Sequence, residues 1–223
     1  MLLLGIDDAG RGPVIGPMVL AGCLIEEKTK KEFREKGVRD SKQLTQKRRE
    51  FLEEFVKEKS KKFHTVLLTP EEIDKGNEEG TNLNQLEAIA AAKIINKLNS
   101  ASGPDGTKIS VILDCPSASI NKWTEYLKTH IENLSNLEIV CEHKADRNHV
   151  VVSAASILAK SERERQVARL REKYGEDMGS GYPSDPKTKE FLANNATKHK
   201  GLFRKSWSTW KKASSKLKQK KLF

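Results

Sequence analysis

Apolar and polar positions alternate along the chain with two different periods, one typical of strands and one typical of helices. Apolar, β-branched runs predict strands over 2–7, 14–25, 61–68, 109–114 and 137–146. A glycine-rich turn joins the first two runs, which predicts a hairpin, and helical segments separate the later runs. This order predicts an α/β fold built on a mixed sheet.

Helical periodicity fills the stretches between the predicted strands. It predicts helices over 44–59, 84–99, 119–134 and 153–175, a helix beginning at Thr69, a short helix beginning at Ser184 or Asp185, and a basic helix from about 203. Thr45 is the expected N-cap of the helix over 44–59. Pro70 and Glu72 follow Thr69 in the pattern of a capping box with proline at the first helical position.

The excess positive charge is concentrated at the C-terminal end of the chain. Residues 198–223 hold ten of the 41 lysines and arginines and none of the 31 aspartates and glutamates, so the charges of the preceding residues balance. A concentrated basic segment indicates a polyanionic partner, most simply nucleic acid. A tail that only confers solubility is the alternative.

Cysteine usage and hydropathy bear on the compartment. The three cysteines show no CxxC spacing, which indicates reduced thiols and a cytoplasmic protein rather than a disulfide framework. No apolar stretch approaches the roughly 20 residues of a membrane helix, and the N-terminus has no basic lead of a secretory signal. Because no oligomerisation signal is evident, we expect a monomer without membrane association.

Three predicted strands end at aspartates. Asp7 and Asp8 end the first strand, Asp114 the fourth and Asp146 the fifth. Sites in open α/β sheets form at the carboxyl ends of strands, so four carboxylates are expected to converge at one edge. Their mutual repulsion requires a positive charge, and oxygen ligands favour Mg²⁺ or Mn²⁺. Neighbouring strand residues point to opposite faces, so a turn role for Asp8 is the alternative.

A glycine-rich turn follows these first carboxylates. The glycines are Gly10, Gly12 and Gly16, with Pro13 between them and a strand after them, so the spacing and context of a dinucleotide fingerprint are missing. What remains is a backbone that a ligand can approach closely, with Arg11 supplying charge.

Five blocks of the sequence resemble ribonuclease HII, especially its archaeal form. They are GIDDAGRGPVIGPMV, VRDSKQLTQKRR, ILDCPSAS, EHKADRNHVVVSAASILAKSERE and GSGYPSDPKT, in this order, and the resemblance runs from residue 2 to about 210. The resemblance implies a ribonuclease H-like catalytic domain over 1–175, with a five-stranded mixed sheet flanked by helices, and a helical C-terminal region with a basic tail over 176–223. It implies an endonuclease that cuts the RNA strand of RNA–DNA hybrids and cuts at single ribonucleotides in duplex DNA, leaving 5′-phosphate and 3′-hydroxyl ends.

The positions of these motifs imply the site residues. The family's four acidic ligands of a two-metal Mg²⁺ or Mn²⁺ site fall on Asp7, Asp8, Asp114 and Asp146, with Asp7 expected to touch both ions. The ribose-sensing Gly-Arg-Gly falls on Gly10, Arg11 and Gly12, the junction-sensing tyrosine on Tyr182, and a phosphate contact on Lys42. Tyr182 as a turn-side core residue is the alternative. We also expect Arg204, in the segment FRKSW, to contact phosphate.

One position departs from the family pattern. The usual second acid is glutamate, whereas this chain has Asp8, one methylene shorter. The shorter side chain predicts a water-bridged ligand, a closer metal, or lower activity with a shift toward Mn²⁺. The main alternative is therefore a catalytically weak or silent relative that binds nucleic acid. A junction resolvase of the same fold is a second alternative, but it does not need the ribose-sensing features at Gly10–Gly12 and Tyr182.

The C-terminal tail, QKKLF, resembles part of the sliding-clamp peptide that ends many archaeal relatives, Q-x-x-L-x-x-F/Y. Gln219 and Leu222 fit this pattern, and the sequence ends at Phe223 before the aromatic pair. We expect a weak or truncated clamp-binding motif.

Overall fold

A five-stranded mixed sheet organises the fold in the computed structural model. The structure describes residues 1–39, 44–100, 106–174, 177–199 and 201–220, with the backbone alone described for 218–220. The strands are β1 (Leu2–Ala9), β2 (Met18–Glu26), β3 (Lys62–Leu68), β4 (Ile109–Asp114) and β5 (Leu137–Glu142). They lie in the order β3-β2-β1-β4-β5, with β1 antiparallel to β2 and parallel to β4, and β4 parallel to β5.

Nine helices accompany these strands within the described part of the chain. They are α1 (Thr29–Lys36), α2 (Gln46–Lys59), α3 (Pro70–Glu78), α4 (Leu83–Ser100), α5 (Ile120–Lys128), α6 (Ala145–Asn148), α7 (Val150–Tyr174), α8 (Pro186–Asn195) and α9 (Ser208–Lys220). The predicted mixed five-stranded sheet flanked by helices is confirmed. None of the described helices is both long enough and apolar enough to cross a membrane.

The capping signals identify helix starts correctly. The Thr45 hydroxyl accepts a hydrogen bond from the Arg48 N–H at the start of α2. Thr69 and Glu72 form the predicted reciprocal capping box at α3. The Asp185 side chain caps α8 by accepting from the Lys187 N–H. Each cap satisfies backbone N–H groups that have no partner inside the helix.

Several boundaries differ from the prediction for physical reasons. The second strand begins at Met18 rather than at 14, because Gly16 has a φ of +77° and residues before it form a loop. The fifth strand ends at Glu142 rather than at 146, because the chain turns at Lys144, whose φ is 61°. Helix α1 was not predicted: only Thr29 and Phe33 of its eight residues are buried, which leaves almost no apolar period to detect.

Contacts between Cα atoms divide the chain into two compact units. The first unit contains Met1–Ala9, Val19–Val66 and Asn84–Glu162, and the second contains Gly10–Met18, Leu67–Leu83 and Arg163–Phe223. Each unit is therefore assembled from three separate stretches of sequence. The expected division between 1–175 and 176–223 stays a prediction.

In the first unit, the N-terminal half of α7 packs directly on the sheet. Its residues Val151, Val152, Ala155 and Leu158 share an apolar core with residues of β1 and β2. The approach is close because Gly5 of β1 has no side chain: a Cβ there would lie 2.3 Å from the carbonyl oxygen of Val151. The helix backbone thus rests on the strand backbone beside the position of Asp7.

In the second unit, the loop that follows β1 is part of a core. Val14 and Ile15 pack with residues from the C-terminal stretch, namely Met178, Phe191, Leu192, Ala196, Leu202 and Phe203. Antiparallel bridging between Ile15 and Phe203 joins the two stretches through the backbone. The loop is therefore held by residues almost 190 positions later in the chain.

Replacing Gly5 by alanine is expected to lower the free energy of unfolding by about 3 kcal/mol, because the new methyl group would overlap backbone atoms that cannot rotate away. Gly22→Ala is the matched control on β2, since its Cβ would meet the side chains of Ile94 and Leu98. Side chains can adjust, so a loss of only about 1 kcal/mol is expected there. Urea unfolding of both variants measures the difference, and equal losses would show that α7 does not rest on the β1 backbone.

Candidate active site

Asp7 and Asp8 are among the last three residues of β1, where they pair with Ala21 and Leu20 of β2. Asp7 is only 7% exposed. Its Oδ1 atom accepts a hydrogen bond of 2.8 Å from the Asp8 N–H, and the Ser156 hydroxyl of α7 donates to the same carboxylate. The two hydrogen bonds fix the orientation of the buried carboxylate.

The surroundings of Asp7 disfavour its negative charge. Burial raises the pKa of its carboxyl group well above the usual value, and the charges of Asp8 and Asp114 raise it further. The hydrogen bonds from Ser156 and from the Asp8 N–H lower the pKa but do not offset these effects. An ionised Asp7 therefore needs additional positive charge nearby.

A small cavity joins three of the four predicted carboxylates. Its volume is about 10 Å³, the space of roughly one water molecule. Asp7, Asp8 and Asp114 line it, and Glu87 of α4 is a fourth acidic residue in its wall. The remaining lining residues are apolar: Ile6, Leu20, Ala91, Leu113 and Trp123. The acidic groups thus surround a space with little room for solvent.

The turn after β5 brings the fourth predicted carboxylate near the end of β4. The Asp114 carboxylate accepts a hydrogen bond of 3.0 Å from the Ala145 N–H, the residue before Asp146. Asp146 is 2% exposed and lies in α6, so the prediction that it ends a strand is wrong. It does not line the small cavity, and the Ser153 hydroxyl donates to its backbone carbonyl at 2.7 Å.

The chemistry of these groups fits a hard divalent cation. All the donors are carboxylate oxygens, which suit Mg²⁺ and Mn²⁺, and the raised pKa of Asp7 shows that its environment favours added positive charge. Among the residues that the structure describes, no group of three or more histidine, cysteine, aspartate or glutamate side chains is already arranged to hold a metal ion. The donor set fits the cation, and its side chains must still come together around it.

The two glycines of the predicted ribose-sensing motif both lie in the second unit, and they differ in backbone conformation and in the space around them. Gly10 has a φ of +85°, and a Cβ there would lie 2.2 Å from Nε of Arg163. Gly10 is therefore required by its own backbone and by the arginine packed on it. Gly12 is exposed, and a Cβ there would lie 3.4 Å from the Tyr182 ring, an ordinary contact. The expected open approach thus belongs to Gly12 rather than to both glycines.

Tyr182 lies beside Gly12 in a surface turn and is 41% exposed. The Arg163 guanidinium carbon is 5.7 Å from the centre of the tyrosine ring, within the range of a cation–π contact. Arg163 is 8% exposed, and burial lowers the pKa of its guanidinium. One side of the tyrosine ring therefore rests on a buried arginine.

Arg204 is fully buried and not on the surface where a phosphate contact was predicted. Its side chain is 0% exposed and donates hydrogen bonds to the carbonyls of Gly16, Arg11 and Gly10, at 3.0, 2.9 and 2.7 Å. Burial of the guanidinium is tolerated because each of its three nitrogens donates to a carbonyl oxygen. The sequence places a basic residue in a basic tail and gives no sign of this burial.

Other residues of the site were missed or fall outside the description. Lys42, the predicted phosphate contact, lies outside the residues that the structure describes. Glu87, Ser156 and Arg163 were not singled out from the sequence, because each sits in a helix whose pattern is explained by packing alone. The available signal for Ser156 was its spacing of three residues from Ser153, which puts both serines on the same helix face.

Comparison with known proteins identifies relatives along nearly the whole chain. The family model for ribonuclease HII matches residues 4–210. A ribonuclease HII of Methanococcus maripaludis strain C6 is 41% identical over 225 residues, which cover 100% of this chain and 91% of the relative. The crystal structure of ribonuclease H2 from Pyrococcus horikoshii OT3 matches with a TM-score of 0.85 at 35% identity, covering 98% of this chain and 100% of that chain.

A further solved structure similar to this chain contains a partner. It is a PCNA:RNase HII complex from Archaeoglobus fulgidus, with a TM-score of 0.73 and 38% identity, covering 86% of this chain and 85% of that chain. Together these similarities confirm the resemblance that the sequence motifs predicted.

Replacing Asp7 by asparagine is expected to stabilise the cation-free protein at neutral pH. Because the pKa of Asp7 is raised, the folded state keeps this proton to higher pH than the unfolded state does. The protonated Asp7 therefore favours folding at acidic pH, and this contribution to the free energy of unfolding is lost as the pH rises. Urea unfolding in EDTA at about pH 5 and about pH 8 measures this. The advantage of Asp7→Asn grows with pH and reaches on the order of 1 kcal/mol or more.

Asp177→Asn is the control for this prediction. Asp177 is exposed, and the neighbouring Lys187 ammonium lowers the pKa of its carboxyl group. The sign is opposite here: ionised Asp177 contributes stability above its unfolded pKa, so its replacement gives no gain at neutral pH. An Asp7→Asn variant that is less stable than wild type at about pH 8 contradicts the strained charge at Asp7.

Proposed function

The chain belongs to the ribonuclease HII family, and from this premise we propose that it is a divalent-metal-dependent endonuclease. It cuts the RNA strand of RNA–DNA hybrids and cuts at single ribonucleotides in duplex DNA, leaving a 5′-phosphate and a 3′-hydroxyl. The observation that carries this proposal is the group of Asp7, Asp8 and Asp114 around one small cavity. We also propose that the protein is a monomer, and the proposed cleavage does not depend on this.

Asp7, Asp8, Asp114 and Asp146 are the residues that would hold the metal. Mg²⁺ or Mn²⁺, when bound, supplies positive charge at the phosphate and makes water a better nucleophile. Residues of the chain itself orient the carboxylates. Ser156 and the Asp8 N–H aim the Asp7 carboxylate, and the Ala145 N–H holds one oxygen of Asp114, so that the other oxygens remain directed for ligation.

Recognition of RNA requires a contact to the 2′-hydroxyl group, which DNA lacks. The backbone of Gly10, Arg11 and Gly12 supplies that contact, and the open face of Gly12 allows a sugar to approach. Tyr182 stacks on the neighbouring deoxyribose, where a 2′-oxygen would interfere. The Gly-Arg-Gly motif and Tyr182 both lie in the second unit. Because Gly12 and Tyr182 are neighbours, the motif and the tyrosine can contact the ribonucleotide and the adjacent deoxyribonucleotide at the same time.

A second candidate function is binding of nucleic acid without cleavage. Asp8 in place of the family's glutamate favours it, because the shorter side chain loses reach toward a metal. The excess of positive charge at the C-terminal end serves either function, because phosphate attraction does not depend on sequence or on catalysis.

A labelled duplex with a single ribonucleotide tests these functions directly. We expect cleavage at the ribonucleotide with Mg²⁺ or Mn²⁺, no cleavage in EDTA, and no cleavage of the matching all-DNA duplex. Asp114→Asn should bind the duplex and not cut it. Binding by wild type without cleavage in either metal would establish the silent module, and cleavage of an all-DNA four-way junction would establish a resolvase.

Asp8→Glu is expected to raise the rate of cleavage or to move the preference from Mn²⁺ toward Mg²⁺. The longer side chain restores the reach of one methylene, and a change of this kind at a metal site is worth about tenfold. Rates with each metal, measured on the single-ribonucleotide duplex, give the result. Asp177→Glu is the control on an exposed carboxylate. If Asp8→Glu gains nothing in either metal, the shorter acid is not what limits this site.

A sliding clamp is a proposed partner through the C-terminal tail. The relative from Archaeoglobus fulgidus was solved in a complex with PCNA, and Gln219 and Leu222 fit the clamp peptide. Leu222 and Phe223 lie outside the described residues. Deletion of residues 219–223 is expected to abolish capture by an archaeal clamp and to leave cleavage unchanged. The Lys218→Ala variant should still bind, and clamp binding that survives the deletion would place the contact elsewhere.

A further inference from the structure

A short C-terminal segment, residues 202–207, runs along the glycine loop, residues 10–16. Ile15 and Phe203 form an antiparallel bridge. The Arg204 N–H donates to the Val14 carbonyl at 2.9 Å, and the Gly16 N–H donates to the Leu202 carbonyl at 3.0 Å. The loop is therefore paired with this segment as a strand is paired with its neighbour.

Two side chains of the segment bind the carbonyls of the ribose-sensing motif itself. Arg204 donates to the carbonyls of Gly10 and Arg11 at 2.7 and 2.9 Å. Trp207 donates from Nε1 to the carbonyl of Gly12 at 3.2 Å. All three consecutive carbonyls of the Gly-Arg-Gly motif thus point toward the same segment.

The geometry of the peptide unit fixes where the N–H groups of the motif point. A trans peptide is planar, and its C=O and N–H bonds point in opposite directions. Because the Gly10 and Arg11 carbonyls face Arg204, the N–H groups of Arg11 and Gly12 are directed away from it. Pro13 has no N–H group, so the motif presents two donors side by side on the face opposite the arginine.

The segment that orients the loop is itself fixed. The Asp74 carboxylate of α3 accepts from the Lys205 N–H and the Ser206 N–H, both at 2.8 Å, and from the Ser206 hydroxyl at 2.7 Å. The Arg204 guanidinium carbon is 5.0 Å from the centre of the Trp207 ring. Asp74 therefore holds the middle of the segment, while the residues on either side of it hold the loop.

We propose that Arg204 and Trp207 are positioning residues for ribose recognition: they orient the Arg11 and Gly12 N–H groups as a donor pair for the 2′-hydroxyl oxygen of the ribonucleotide. Glycine makes this necessary, because a motif with two glycines has little conformational preference of its own. The inference rests on the proposed function of the motif and adds how its backbone is held.

The test compares binding of two duplexes that differ by one oxygen atom. One contains a single ribonucleotide, and the other has the deoxynucleotide at that position. Dissociation constants are measured for the full chain in EDTA, so that the readout does not depend on catalysis. The variants are Arg204→Lys and Trp207→Phe, with Trp210→Phe as the matched control. Trp210 donates from Nε1 to the Ala196 carbonyl at 3.0 Å, so its replacement removes a similar hydrogen bond that does not touch the loop.

We expect the ratio of the two dissociation constants to fall about tenfold in Arg204→Lys and about threefold in Trp207→Phe, as expected for loss of several hydrogen bonds and of one. Binding of the all-DNA duplex and the ratio in Trp210→Phe should stay unchanged. A general loss of structure would weaken both duplexes together. Thermal unfolding identifies a variant that does not fold, and Trp207→Phe, which keeps an aromatic ring, decides the case if Arg204→Lys fails to fold.

Two outcomes overturn the inference, and they are distinguishable. If wild type discriminates ribose and folded Trp207→Phe and Arg204→Lys discriminate equally well, the positioning role is wrong and the proposed function stands. If wild type binds the two duplexes equally, the ribose-sensing role of the motif fails, and the inference fails with it.

Discussion

The site depends on the buried carboxylate of Asp7, whose surroundings disfavour its negative charge in the absence of a cation. Asp7 lies on a strand covered by α7, and Asp8 and Asp114 face the same small cavity. Carboxylates around so small a cavity repel one another, and the charges of Asp8 and Asp114 raise the pKa of the Asp7 carboxyl group. The fold does not remove the repulsion with hydrogen bonds from Ser156 and a backbone N–H, since the pKa of Asp7 stays raised. A divalent cation is the simplest group that relieves it, and this links the packing of the helix to the chemistry.

The glycine loop differs from the carboxylate group, because its backbone carbonyls are hydrogen-bonded by one neighbouring segment. The carbonyls of residues 10–12 and 16 accept hydrogen bonds from the segment that contains Arg204 and Trp207. A buried arginine is costly unless its donors are used, so its three carbonyl contacts explain both its burial and the shape of the loop. A positive residue in a basic tail thus acts on the backbone of the N-terminal loop, and not on a phosphate.

Much of the fold could be predicted because it rests on local signals. Alternating apolar runs identified five strands, and Thr69 with Glu72 identified a helix start. Asp7, Asp8 and Asp114 could be predicted as neighbours because parallel strands bring their ends together. Glu87 could not be found, because a glutamate in a helix is normally assigned to the exposed face. Arg204 could not be found either, because its partners are about 190 residues away in sequence and belong to the backbone.

Calorimetric titration of the full chain with Mn²⁺ tests most directly whether Asp7 and the carboxylates beside it form a cation site. The account predicts saturable binding, loss of that binding in Asp7→Asn, and release of protons at pH values where Asp7 is partly protonated, because the cation binds the ionised carboxylate. Proton release is measured by repeating the titration in buffers with different heats of ionisation. Absence of saturable binding by wild type, or equal binding by Asp7→Asn, would contradict the account.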